Sequence, residues 1–127
     1  MNIKIKTIPH GKQRYPTCGD WWFEPGGDLQ IRVSELTNWK HEVLIAVHEL
    51  LEVLLCKDRG ITQAEVDNFD RIFEIQRANG MHGDAEPGFA KDSPYRNEHA
   101  FATKIEKLLA KQLNVDWDKY DKAVTEL

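Results

Sequence analysis

The hydrophobic pattern of this chain changes period at Asn38, and that switch constrains the fold more than any other feature. Before it, Ile3-Lys4-Ile5-Lys6-Thr7-Ile8 alternates apolar and polar residues and stops at Pro9, and Leu29-Gln30-Ile31-Arg32-Val33 alternates in the same way. A period of two puts one set of side chains on one face of a pleated strand, so both segments are expected to be half-buried strands. Trp21-Trp22-Phe23-Glu24 is rich in the aromatic residues that strands favour, and Pro25-Gly26-Gly27-Asp28 has turn chemistry. Together they predict a hairpin into Leu29–Val33. Residues 9–20 are expected to form a loop.

After Asn38 the apolar spacing is helical. A first helix is expected from about Trp39 to Lys57, with Asn38 or Thr37 as its N-cap and Gly60 as its stop. Thr62-Gln63-Ala64-Glu65 is a capping box that opens a second helix to about Ala78. Residues 79–93 are glycine-rich and form a long loop, of the kind that carries function more often than not. Ser93-Pro94 supplies a cap and a first-turn proline for a third helix to about Gln112, and Asp116-Trp117 starts a short last one. The expected class is α+β: a small N-terminal antiparallel sheet of about three strands, packed against three main helices and a short C-terminal helix. A chain of 127 residues holds this as a single domain, 1–127, with one core.

Composition narrows the function. A net charge of −4 argues against nucleic acid as a partner, and acidic substrates are likewise not favoured. The N-terminus has no continuous apolar stretch of the signal-peptide kind, and no run approaches the ~18 apolar residues of a membrane span. A cytoplasmic location is expected, with Cys18 and Cys56 as reduced thiols, since they form no C-x-x-C pair.

The chemistry concentrates in His48-Glu49-Leu50-Leu51-Glu52. At about 3.6 residues per turn His48 and Glu52 lie one above the other, with Glu49 about 100° round. On a helical wheel Val43, Leu44, Val47, Leu50, Leu51, Leu54 and Leu55 form a broad apolar arc, and His41, Glu42, His48, Glu49, Glu52 and Cys56 fill most of the rest. A solvated arc normally mixes Lys or Arg with Glu, because opposite charges one turn apart stabilise a helix. This arc has neither between His41 and Cys56, so a site is favoured over a wet surface. Catalytic zinc sites take three protein ligands and leave a position for water. On the third helix, whose core stripe is expected to be Phe101, Ile105, Leu108 and Leu109, His99 is the best third ligand. Glu106, seven residues further on, is expected to orient a ligand or add one. His10, His41 and His82 are expected to be ordinary polar residues.

A hairpin, then a helix with this motif, then a ligand on a later helix, resembles the zincin metallopeptidases. The resemblance implies a divalent transition metal, zinc first with manganese or iron as alternatives, held by His48, Glu52 and His99. It implies Glu49 as the base that activates water, a peptide as one candidate substrate, and the strand before the helix as the edge that holds it. Glu52 stands where that family has its second histidine. Val47-His48-Glu49-Leu50, Gly60-Ile61-Thr62, Glu86-Pro87-Gly88 and Pro94-Tyr95 also resemble phrases of small phage-type proteins. Two other readings compete. Glu49-x-x-Glu52 with Asp67-x-x-Asp70 resembles the MazG-like nucleotide pyrophosphohydrolases, which bind magnesium and are all-helical. Four tryptophans, two of them adjacent at Trp21 and Trp22, suit a non-enzymatic interaction module.

Overall fold

Leu29, Ile31 and Val33 are fully buried, so the period-two pattern of that segment marks the centre of the molecule. A computed structural model covering residues 1–127 has strands β1 (Ile3–Ile8), β2 (Gly19–Phe23) and β3 (Leu29–Ser34). Four helices follow: α1 (Trp39–Asp58), α2 (Gln63–Ala78), α3 (Arg96–Gln112) and α4 (Trp117–Thr125). Single 3-10 turns lie at His10–Lys12 and Pro87–Phe89. The class is α+β, with three main helices and a short last one.

The sheet is mixed, not antiparallel throughout. β3 is its middle strand: β2 pairs with it antiparallel, Trp21 opposite Ile31, and β1 pairs with it parallel, Ile5 opposite Ile31. Residues 9–18 reverse the chain once and the 24–28 turn reverses it again, so β1 and β3 run the same way. Alternation shows which face is buried and carries no information on direction. α1 packs across β3 and β2. β1 lies outside that cover, leaving Ile3 and Ile5 exposed where half-burial was expected.

The helix ends follow local chemistry. Asn38 Oδ1 accepts the Lys40 N–H at 3.0 Å, Thr62 Oγ1 accepts that of Glu65 at 3.2 Å, and Asp116 Oδ1 accepts that of Lys119 at 3.1 Å. α1 ends in a Schellman motif, with Gly60 at φ +72 and the Ile61 N–H on the Cys56 carbonyl at 2.9 Å. The third helix starts at Arg96, two residues later than Ser93-Pro94 predicts, and Tyr95 at its N-cap makes no side-chain cap.

The apolar arcs of α1 and α3 are only partly buried, and the ionisable residues beside them are buried more consistently. On α1 Val43 and Leu54 are exposed, while Leu44 of the apolar arc is buried together with Ile45, His48, Glu52, Val53 and Cys56. On α3 Phe101 and Leu108 are exposed, and the buried face is Glu98, His99, Ala102, Glu106 and Ala110. The two helices run antiparallel: Lys40 Nζ at the start of α1 reaches the Leu113 carbonyl past the end of α3 at 2.8 Å, and Arg59 reaches Glu98 in its first turn. Small Ala102 and Ala110 let the backbones approach, and the titratable groups meet between them.

Arg14 fastens the 9–18 segment to both layers. Its Nε lies 2.7 Å from Asp20 Oδ2 on β2 and its Nη1 3.0 Å from Asp67 Oδ2 on α2, while its guanidinium covers Trp22 at 5.0 Å. Asp20 is 2% exposed, so losing its partner strands a carboxylate in the interior. Arg14→Ala is expected to destabilise the protein by about 3 kcal/mol in urea unfolding, well beyond a surface ion pair.

Candidate metal centre

His48 Nε2, His99 Nδ1 and Glu52 Oε2 converge on one point between α1 and α3. They are separated by 3.0 Å (His48 to His99), 3.1 Å (His48 to Glu52) and 2.8 Å (His99 to Glu52). A tetrahedral ion with bonds of about 2.0–2.2 Å asks for ligand atoms about 3.3–3.6 Å apart. Small side-chain shifts therefore open this triangle around an ion. All three residues are buried, and the group could hold a metal ion. The three ligands expected from the sequence are the three brought together.

The far side of each ligand is also fixed. His48 Nδ1 lies 2.7 Å from Glu106 Oε1, and the Tyr120 hydroxyl donates to the other oxygen of Glu106. His99 Nε2 lies 2.8 Å from Glu86 Oε2. A carboxylate on the far nitrogen holds the ring proton there and turns the lone pair of the near nitrogen toward the centre. Trp21 Nε1 donates to Glu52 Oε1 at 3.4 Å, which leaves Oε2 as the free ligand atom. Phe89 and Tyr95 pack edgewise on the His99 ring, at 4.5 and 6.0 Å between centroids.

Burial disfavours a charged imidazole, but Glu106 and Glu52 on His48, and Glu52 and Glu86 on His99, outweigh it. His99 rises to about 9 and His48 is raised as well. Burial works against the charged form of Glu52 too, yet the two histidines hold its carboxyl well below the usual range. Glu49 behaves oppositely: burial, then the Glu52 charge, push it well above the ordinary carboxyl range. Its side chain packs on Gly19, where an added Cβ would fall 2.6 Å from Oε1.

Glu106 holds the orienting place expected of it. The competing acidic set does not gather. Asp67 is taken by Arg14, and Asp70 accepts the hydroxyls of Tyr15 (3.1 Å) and Tyr95 (2.5 Å). His10 bonds Ser34 at 2.8 Å, His41 lies beside Tyr120, and exposed His82 stacks on Phe73 at 3.8 Å. Sequence reasoning missed Glu86, Tyr120 and Trp21. Glu86 had one available signal, its place in the glycine-rich loop already singled out, which it shares with Asp84 and Asp92. That loop is tied down by Arg77, which donates to the Gly83 and Ala85 carbonyls and pairs with Glu74. Gly88 completes it by packing against the His99 ring so closely that a Cβ would overlap it.

Neither a protein-family model, nor a curated protein, nor a solved structure matches this chain. No helix is long and apolar enough to cross a membrane.

Two outcomes follow from this geometry. Gly88→Ala is expected to displace the loop or the ring and weaken metal binding about 10- to 100-fold, as loss of an orienting contact does, read by competition with a chromophoric chelator. Burial lifts the Asp70 carboxyl to about 7; Tyr95 and Tyr15 oppose the shift, and Glu52 and Asp67 add to it. Unfolded, the same group titrates near ~3.9. Between these values the folded state keeps a proton that the unfolded state has lost, so this contribution to stability falls as pH rises from about 4 to about 7. Asp70→Asn should gain on the parent protein across that window, by at most about 4 kcal/mol in urea unfolding; a pH-independent difference would contradict the assignment.

Proposed function

We propose that this chain is a metal-dependent hydrolase in which His48, Glu52 and His99 hold a divalent transition ion and Glu49 manages the proton of an attacking water. The observation that carries the reading is the carboxylate on the far nitrogen of each imidazole. A metal-ligating histidine nearly always has such a partner, and here both imidazoles have one while their near nitrogens face a common point with Glu52 Oε2. Two nitrogens and one carboxylate oxygen suit zinc, and also manganese or iron. An ion held there supplies a Lewis acid that brings a water's pKa toward ~7.

Glu49 follows His48 directly on α1 and lines the same cavity. A carboxyl held above its usual range is suited to take a proton from water and return it to a leaving group, which is the work of a general base turned acid. Asp70, lifted by burial on the opposite wall, is held by two phenols and takes no part in the set of ligands.

The resemblance to zincins supports the ligand assignment better than it supports a peptide substrate. β3, the strand before the helix, is hydrogen-bonded on both sides and has no free edge. On the outer edge of β2 the Gly19 carbonyl accepts from Thr17 (2.6 Å), the Trp21 carbonyl from Arg14 (3.3 Å), and the Phe23 N–H donates to Gln63 (2.9 Å). An extended peptide has no open ladder there to join. A compact substrate fits better. The nucleotide pyrophosphohydrolase reading lacks both its acidic cluster and its all-helical frame.

Elemental analysis of the purified protein tests the reading. About one transition ion per chain is expected, with His48→Ala and His99→Ala losing it. Glu49→Gln should keep the ion and lose about 10²- to 10⁴-fold in turnover of activated esters or amides. Failure to take up any transition metal at neutral pH removes the proposal.

A further inference from the structure

We infer that the substrate of this centre carries positive charge close to the bond that is cleaved: a compact amide or ester bearing an ammonium or guanidinium group. This rests on the hydrolase reading above and goes beyond it to the substrate class.

The centre opens into a cavity of about 610 Å³ whose lining includes ten carboxylates against one arginine and one lysine. Neither base is placed to receive an anion. Arg77 is occupied by Glu74 and by the loop carbonyls of Gly83 and Ala85. Lys107 lies over the Trp117 ring at 5.3 Å. Recognition of a phosphate or carboxylate calls for a free arginine fork or ammonium, and this cavity has no arginine to spare.

The ion does not reverse the sign. A dication on one carboxylate and two neutral imidazoles is a unit positive group. Glu106 and Glu86, which hold the imidazole protons, bring the assembly to minus one. Asp84 and Asp121 also line the cavity and have no cationic partner. Field lines from charges of one sign are focused in a cleft with low-dielectric walls, so the potential felt by an incoming group is negative.

Two further features suit an ammonium. Thr103 is among the residues that line the same cavity, and its Oγ1 is shielded from solvent and has no hydrogen-bond partner within the protein. Phe89 leaves much of its ring exposed beside His99, and a bare aromatic ring next to carboxylates is a favourable seat for an organic cation.

The test uses the full chain loaded with cobalt(II), whose visible spectrum reports ligand exchange, and three hydroxamates that differ in charge. Acetohydroxamate is neutral, lysine hydroxamate cationic and succinate monohydroxamate anionic. At low salt the cationic probe should bind at least about tenfold more tightly than the anionic one, with the gap shrinking as ionic strength rises. Asp84→Asn with Asp121→Asn should narrow that gap and leave acetohydroxamate unchanged, since both residues lie outside the set of ligands and their partners. Equal binding, or preference for the anionic probe, by a protein that holds cobalt overturns this inference alone. A protein that takes up no cobalt overturns the hydrolase reading and this inference with it.

Discussion

Everything in this structure is arranged around the burial of the His48–Glu52 face of α1. Two imidazoles and a carboxylate inside a protein are costly unless each polar atom is met, and here each layer of the fold meets one of them. α3 supplies His99 and Glu106, α4 supplies the Tyr120 hydroxyl on Glu106, the loop before α3 supplies Glu86, and the sheet supplies the Trp21 N–H. The small residues fall in the same pattern. Gly19 makes room for Glu49 and Gly88 for His99, and Ala102 and Ala110 bring α3 close to α1. A network that draws on α1, α3, α4, β2 and the loop before α3 also couples them, because losing one member leaves its partner buried and unpaired.

Local signals carried much of this into the sequence. Caps at Asn38, Thr62 and Asp116 and the stop at Gly60 depend on neighbours within a few residues, so the helix ends were readable from the chain alone. The three residues that converge were readable for a different reason. The absence of lysine and arginine from the polar arc of α1 is a departure from what a solvated helix prefers, and that departure had a cause. What stayed hidden depends on contacts distant in sequence. β1 joins β3 in parallel because the β2 hairpin occupies the other edge, and alternation carries no trace of that. Glu86 and Tyr120 reach the centre from elements whose packing no periodicity specifies.

The helical wheel placed Leu44 correctly and misjudged Leu54, Phe101 and Leu108, for an instructive reason. It ranks residues by hydrophobicity, but burial is decided by what each face meets. Leu54 and Phe101 stay exposed because their faces meet little else, while Glu106 and His99 are buried because they meet each other's partners. A titratable residue with every hydrogen bond satisfied is as much an interior residue as a leucine. On such helices the stripe of ionisable groups is a better guide to the contact face than the stripe of leucines.

Glu52 is the position at which this chain departs from the zincin pattern, and the surroundings show what the departure does. A histidine there could not both accept the Trp21 N–H and offer a second oxygen to the centre, as the carboxylate does. The change also alters charge. With three imidazoles, a dication and the carboxylates of Glu106 and Glu86 would balance to zero; with Glu52 the assembly is anionic. In the proposed site a more anionic, harder set of ligands would be less selective for zinc over manganese or iron, and would turn away substrates that bring negative charge of their own. In that reading one residue links the identity of the ion to the charge of what can approach it, and a change at Glu52 would alter both.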